Sequence, residues 1–190
     1  MTSSDRTELP AGAKRRAAKR VGTSIDGGAT SGAGLRVGFA CAEFNGGITD
    51  RLLAGALDVL EASGADLAHS VVAWAPGAFE LPLVALRLAR SGAVDAVIAL
   101  GAVIRGETGH YEFVAGECAA GLQRVQLDTG VPVVFGVLTT DTVEQALERS
   151  EGDGNKGREA AACALSMSAV ADGITATAEA PPVGFSVGRR

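Results

Sequence analysis

The sequence predicts an α/β fold: a three-layer sandwich in which a four-stranded parallel sheet is covered by helices on both faces. Three observations predict it. Short apolar segments alternate with longer ones whose apolar residues recur at three- and four-residue spacing, the pattern of repeated β–α units. The short segments are near-continuously apolar, as in AVIALGAVI at 96–104, which suits strands buried on both faces. Finally, the 190 residues are 47% hydrophobic but only 4% aromatic. Small aliphatic side chains must therefore fill the core, and a disordered or collagen-like chain is excluded.

Taken in order, residues 36–42 (RVGFACA) form the first predicted strand. Ile48, Leu52, Leu53, Ala56, Leu57 and Leu60 lie at helical spacing over 48–62. A second strand over 69–74 (HSVVAW) is closed by Ala75-Pro76-Gly77. The helix over 78–89 tolerates Pro82 because it falls in the first turn. Residues 93–104 form the third strand and 110–127 a long helix. The fourth strand is 131–139 (VPVVFGVLT), followed by Asp141-Thr-Val-Glu144, a capping box opening a short helix that ends near Arg149. Asn155 starts a last helix, expected to run to about Val170.

Outside this 36–173 domain lie two expected tails. Residues 1–35 carry six basic and three acidic side chains, with the cluster Lys14-Arg15-Arg16 and Lys19-Arg20, and read as a flexible basic tail. They contain no apolar stretch of the secretory-signal kind. Residues 174–190, broken by Pro181-Pro182, read as a C-terminal tail. The remaining 11 basic and 19 acidic residues leave the body at −8, which argues against nucleic acid as the main partner. No uninterrupted apolar run reaches roughly 18 residues, so no membrane span is expected. Cys41, Cys118 and Cys163 lack C-x-x-C spacing and read as small buried hydrophobes in a reducing, cytoplasmic compartment, with no metal site.

In open parallel sheets, ligands sit beyond the carboxyl ends of the strands. After the first strand come Phe44 and Asn45, a ring that can stack and an amide that can bond its edge, or a ring that covers the core. After the second, Pro76-Gly77-Ala78-Phe79-Glu80 enters a helix; Glu80 either compensates the macrodipole or grips a ligand. The third end, Gly101-Ala-Val-Ile-Arg-Gly-Glu-Thr-Gly-His110, is richest. Its glycines and helix-start amides suit a phosphate, although neither a Walker A loop nor a G-x-G-x-x-G fingerprint is present. His110 is one of two histidines and an acid/base candidate; His69 is expected to be structural or superficial. Arg149 is a surface ion-pair partner or a phosphate clamp. Lys156 opposes its own helix dipole, which suggests service elsewhere.

These blocks in this order resemble the 6,7-dimethyl-8-ribityllumazine synthase family. The resemblance rests on Phe44-Asn45, Pro76-Gly77-Ala78-Phe79-Glu80-Leu81-Pro82, Ile104-Arg105-Gly106-x-Thr108-x-His110-Tyr111, Val131 to Thr140, Glu144-Gln145-Ala146 with Arg149, and Asn155-Lys156-Gly157. It covers about 36–172. It implies a flavodoxin-like sheet order 2-1-3-4 and a transferase of riboflavin biosynthesis needing no cofactor. The implied reaction condenses 5-amino-6-(D-ribitylamino)uracil with 3,4-dihydroxy-2-butanone 4-phosphate, releasing phosphate and water. The implied partners are those two small molecules, further copies of the chain (a pentamer or a 60-subunit shell of twelve pentamers), and riboflavin synthase. The short loop 150–155 goes with the shell form.

By the same resemblance, Phe44 stacks on the pyrimidine, and Ala78, Phe79 and Glu80 bind the ribitylamino substrate. Ala102, Val103 and Ile104 line that pocket. Glu107 and Thr108 occupy the butanone-phosphate positions, and His110 matches the proton donor. Phe135 and Arg149 reach in from a neighbouring subunit, Arg149 toward phosphate, with Lys156 a further substrate-binding position. Phe39 and Phe113 are left for packing and Phe185 for the tail. Glu107 departs from the usual Ala, Ser or Gln; its carboxylate would repel phosphate unless it points away. Gly109 is smaller than the residue often found there.

Overall fold

The computed structural model of the protein describes residues 20–28 and 31–179. The elements run β1 (Val37–Ala42), α1 (Gly46–Ser63), β2 (Val71–Ala75), α2 (Leu81–Arg90), β3 (Ala96–Ile104), α3 (His110–Thr129), β4 (Val133–Thr140), α4 (Val143–Glu148) and α5 (Lys156–Glu179). The strands form one parallel sheet in the order β2-β1-β3-β4, as expected for the fold class.

Because successive strand residues point to opposite faces, the sheet sorts its side chains into two cores. Val37, Phe39, Cys41, Ala96, Ile98, Leu100, Val134 and Leu138 pack against Leu52, Ala56 and Leu60 of α1 and Ala161, Ala164 and Leu165 of α5. The alternate residues, Ala40, Ala42, Val97, Ala99, Val103, Val133 and Val137, meet Leu81, Ala85 and Leu88 of α2 and Cys118, Leu122 and Val125 of α3. Small residues let the layers approach closely. A Cβ on Gly136 would stand 2.7 Å from a methyl of Leu100, and one on Gly121 2.7 Å from the Pro82 ring.

Asn155, just before α5, is buried and ties that helix start to α1. Its Nδ2 donates to the carbonyls of Arg51 (2.9 Å) and Ser150 (2.7 Å), and its Oδ1 accepts from the Gly157 amide (2.8 Å). A Cβ on Gly157 would lie 1.9 Å from the Leu52 carbonyl oxygen, so glycine is the residue that permits this approach.

Several boundaries differ from the sequence expectation for identifiable reasons. The second strand begins at Val71, because residues Leu67–His69 form a 3-10 turn whose amide at His69 donates to the Asp66 carboxylate (3.2 Å). His69 itself is exposed and pairs with Asp66 through Nδ1 at 2.8 Å. The second predicted helix opens as a 3-10 turn, Ala78–Glu80, before α2. The cap of α4 sits one residue later than expected: Thr142 accepts from the Gln145 amide (3.2 Å), and the Gln145 side chain returns to the Asp141 amide (2.9 Å).

The expected C-terminal tail starts as helix, since α5 continues through Gly173 to Glu179. Gly173 does not stop the helix; a Cβ there would stand 2.7 Å from Ile25 Cγ2. Likewise a Cβ on Gly27 would meet Ser166 Oγ at 1.9 Å. Part of the expected flexible tail, 20–28, thus lies across α5. The cluster Lys14-Arg15-Arg16 with Lys19, and Phe185, lie outside the described residues. Cys41 and Cys118 are buried, burial pushing each thiol up to about 12, whereas Cys163 is exposed on α5, contrary to expectation. An 18-residue window of the helix Lys156–Ala178 reaches a mean hydropathy of 1.3, long and apolar enough by composition to cross a bilayer. Within that helix Ala160, Ala161, Ala164 and Leu165 pack on α1 and the sheet, while Met167 and Ile174 are exposed.

At the opposite end from the ligand-facing loops, Arg36 before β1 grips Asp95 before β3. The Asp95 carboxylate accepts from Nη2 at 2.7 Å, Nε at 3.1 Å and the Arg36 amide at 2.9 Å. These bonds hold the Asp95 carboxyl below the usual carboxylate range. The pair's contribution is therefore complete above about pH 4 and is lost as pH falls through the folded-state value. In Asp95→Asn, the loss of melting temperature relative to wild type is expected to be largest near pH 7 and to shrink towards pH 2. Thermal unfolding across that range checks it; a gap of constant size would assign the loss to packing.

Candidate active site

At the carboxyl ends of the strands, three loops surround a cleft of about 640 Å3. A smaller hollow, about 310 Å3, lies by Leu35, Asp95 and Pro132 at the amino ends, away from where such sheets bind ligands.

Backbone bonds set the walls. After β1, the Glu43 and Phe44 amides donate to the carbonyls of Ala75 (2.8 Å) and Pro76 (3.1 Å), tying the first loop to the second. Asn45 takes the left-handed conformation (φ 59°) that Asn tolerates better than most residues. Its Nδ2 donates to the Ala102 carbonyl at 2.9 Å. Asn45 thus pins the first loop to β3 and is absent from the cleft lining. Phe44 is 72% exposed and Phe79 56% exposed, both on the cleft wall. Ala78 and Glu80 line it from the second loop, with the Glu80 Oε2 3.3 Å from where a Cβ on Gly77 would stand.

The third wall is the end of β3 and the loop beyond it: Ala102, Val103, Ile104, Gly106, Thr108 and His110. Glu107 is exposed and does not line the cleft, although Gly106 and Thr108 on either side of it do. The His110 amide, in the first turn of α3, lies 3.5 Å from Thr108 Oγ1. Sequence reasoning missed Tyr111, Phe113 and Val114, which also line the cleft. Phe113, expected to pack in the core, is 71% exposed. The signal was available: Phe113, three positions after His110, falls within the first turn of α3, at the same loop-facing end.

Arg105 braces this wall. Its amide donates to the Thr140 carbonyl (2.9 Å), Nε donates to Asp141 Oδ1 (2.8 Å), and Nη1 pairs with Glu112. The guanidinium carbon also sits 4.1 Å from the centroid of the Tyr111 ring. The bond from Arg105 holds the Glu112 carboxyl below its usual range.

Besides Asn45 and Glu107, three more expected site residues are absent from the cleft lining. Phe135 is half-exposed on β4. Arg149 donates to the Gln145 carbonyl (2.9 Å) at the end of α4. Lys156 pairs with Glu159 at 2.5 Å, a local partner for a cation at the start of α5. Among the described residues, no Lys or Arg lines the cleft.

Chemically, the cleft can sandwich a planar ring between aromatic faces, accept bonds from hydroxyl or N–H groups at Glu80, and move a proton at His110. A doubly covered parallel sheet with such a cleft at its carboxyl ends defines a small-molecule-binding α/β domain. Residues 34–172 match the family model described as 6,7-dimethyl-8-ribityllumazine synthase, well over half the chain, and the chain belongs to that family. That membership places it with the transferases of riboflavin biosynthesis.

Proposed function

We propose that the protein condenses 5-amino-6-(D-ribitylamino)uracil with 3,4-dihydroxy-2-butanone 4-phosphate to 6,7-dimethyl-8-ribityllumazine. The observation that carries this reading is the meeting of Phe44, Phe79, Glu80 and the 102–110 segment around one cleft. Phe44 stacks on the pyrimidine, and Glu80 with the Ala78–Phe79 backbone takes the ribityl side. The 5-amino group attacks the butanone carbonyl and loses water to form an imine. Phosphate is then eliminated over Gly106 and Thr108, and the ribitylamino nitrogen closes the ring with loss of a second water. His110 carries protons between these steps. No covalent nucleophile is required, because holding two reactants in register supplies much of the acceleration.

The phosphate half of this reaction needs a cation, and among the described residues no Lys or Arg lines the cleft. Arg149 is exposed and points its guanidinium at its own α4. We therefore assign Arg149 and Phe135 to the cleft of a neighbouring copy, with Lys156 beside them, in a pentamer or a shell of twelve pentamers. Exposed Val71, Val72 and Trp74 on the edge strand β2 and Leu127 on α3 are apolar surface that such assembly would cover.

Mixing purified protein with both substrates is expected to generate the green fluorescence of the lumazine at a rate proportional to enzyme. Ligand binding without turnover would leave a lumazine- or flavin-binding protein instead. Replacing Arg149 with Met is expected to raise the apparent KM for the butanone phosphate by about tenfold or more, the scale of one lost charge-assisted bond. The pyrimidine KM should change little; equal effects on both would remove Arg149 from the phosphate site. His110→Asn should lower kcat without abolishing turnover, since the imine can form uncatalysed. A full wild-type rate in steady-state assays would exclude His110 from proton transfer.

A further inference from the structure

We propose that Arg105 is a positioning residue that sets the 106–109 loop and His110 without itself touching the phosphate, an inference that rests on the reaction assigned above. Three features separate this from a stability role. First, one guanidinium joins three elements: it follows β3, bonds Asp141 at the end of β4, and pairs with Glu112 in the first turn of α3 while lying against Tyr111. The loop 106–109 is thus closed between fixed points on both sides. Second, both ion pairs are solvent-exposed, with side chains 44 to 68% accessible, and exposed pairs add little to stability. What they fix is geometry at the cleft wall that carries Thr108 and His110. Third, two carboxylates face the single guanidinium charge, and its Nε and Nη1 are both taken. Arg105 is therefore neutralised, and Asp141 and Glu112 orient it along the wall.

The planar fork is what the geometry demands. A Lys ammonium cannot hold two carboxylates on different elements and lie flat on a ring at once. Arg105→Lys keeps the charge and tests the shape; Asp141→Asn and Glu112→Gln keep the shape and loosen the grip. All three are expected to raise the KM for the butanone phosphate and lower kcat, by about tenfold for Arg105→Lys. The pyrimidine KM and the melting temperature should stay close to wild type.

The carboxylate variants decide between positioning and direct contact. If Arg105 bound phosphate itself, freeing it in Asp141→Asn or Glu112→Gln would lower the KM for the phosphate substrate, and the proposal would be overturned. Hydrogen exchange by mass spectrometry gives a readout independent of turnover. In Arg105→Lys, peptides spanning 105–112 should exchange faster while those of β1 and α1 stay unchanged. Unchanged exchange at 105–112 overturns the clip whatever the kinetics. Wild-type protein that forms no fluorescent product would sink the assigned reaction, with exchange still judging the clip. Active wild type with equal losses on both substrates would sink the clip alone.

Discussion

The structure depends on the burial of β3. Its residues from Ala96 to Val103 are all buried, and the strand pairs with β1 on one side and β4 on the other. A strand covered on both faces and flanked on both edges has no freedom of register, because a slip of one residue would exchange its two sets of side chains between the cores. The register Ile104↔Thr140 then brings Arg105 beside Asp141. The same strand supplies the Ala102 carbonyl that anchors Asn45. All three walls of the cleft are thus referred to one rigid element, while the residues that meet a ligand sit on the loops just past it.

Charge is arranged differently at the two ends of the sheet. At the amino ends, Arg36 and Asp95 satisfy one another one to one. At the carboxyl ends, Arg105 is outnumbered by Glu112 and Asp141, and exposed Glu107 adds a further carboxylate to the same loop. Among the described residues, the cleft beside this wall is lined by His110 and Thr108 but by no Lys or Arg. Under the proposed reaction, a phosphate ester held there would need its cation from another copy of the chain, and the lumazine synthase family to which the chain belongs is one in which copies associate.

Most of the fold was legible in the sequence, because near-continuous apolar strands and 3.6-residue stripes leave few alternatives. The misread parts share a cause. His69 belongs to a turn made by the Asp66 side chain, and Glu80 to a 3-10 turn, where local side-chain and backbone bonds override periodicity. Gly173 looked like a helix stop but is small because Ile25 crosses it, a contact between residues far apart in sequence. In the site, Phe44, Ala78 to Glu80, Ala102 to Ile104, Thr108 and His110 were legible from their places at strand ends, and they do converge. The Arg105 brace was not, since nothing in one segment tells that two carboxylates, one seven and one 36 residues later, will meet it.

The scarcity of rings and their placement follow from the same packing. Of the described phenylalanines only Phe39 is fully buried; Phe44, Phe79, Phe113 and Phe135 are all exposed beyond 40%. A chain short of aromatics would be expected to spend them in its core, where each buries the most area. Here the core is closed by Ala, Val, Leu and glycine contacts too tight for a ring, such as Gly101 against Ala42 and Gly136 against Leu100. The exposed rings stand where a planar ligand or another subunit can cover them. Under the proposed reaction, a heterocycle between Phe44 and the second loop and a neighbouring copy over β4 would cover them.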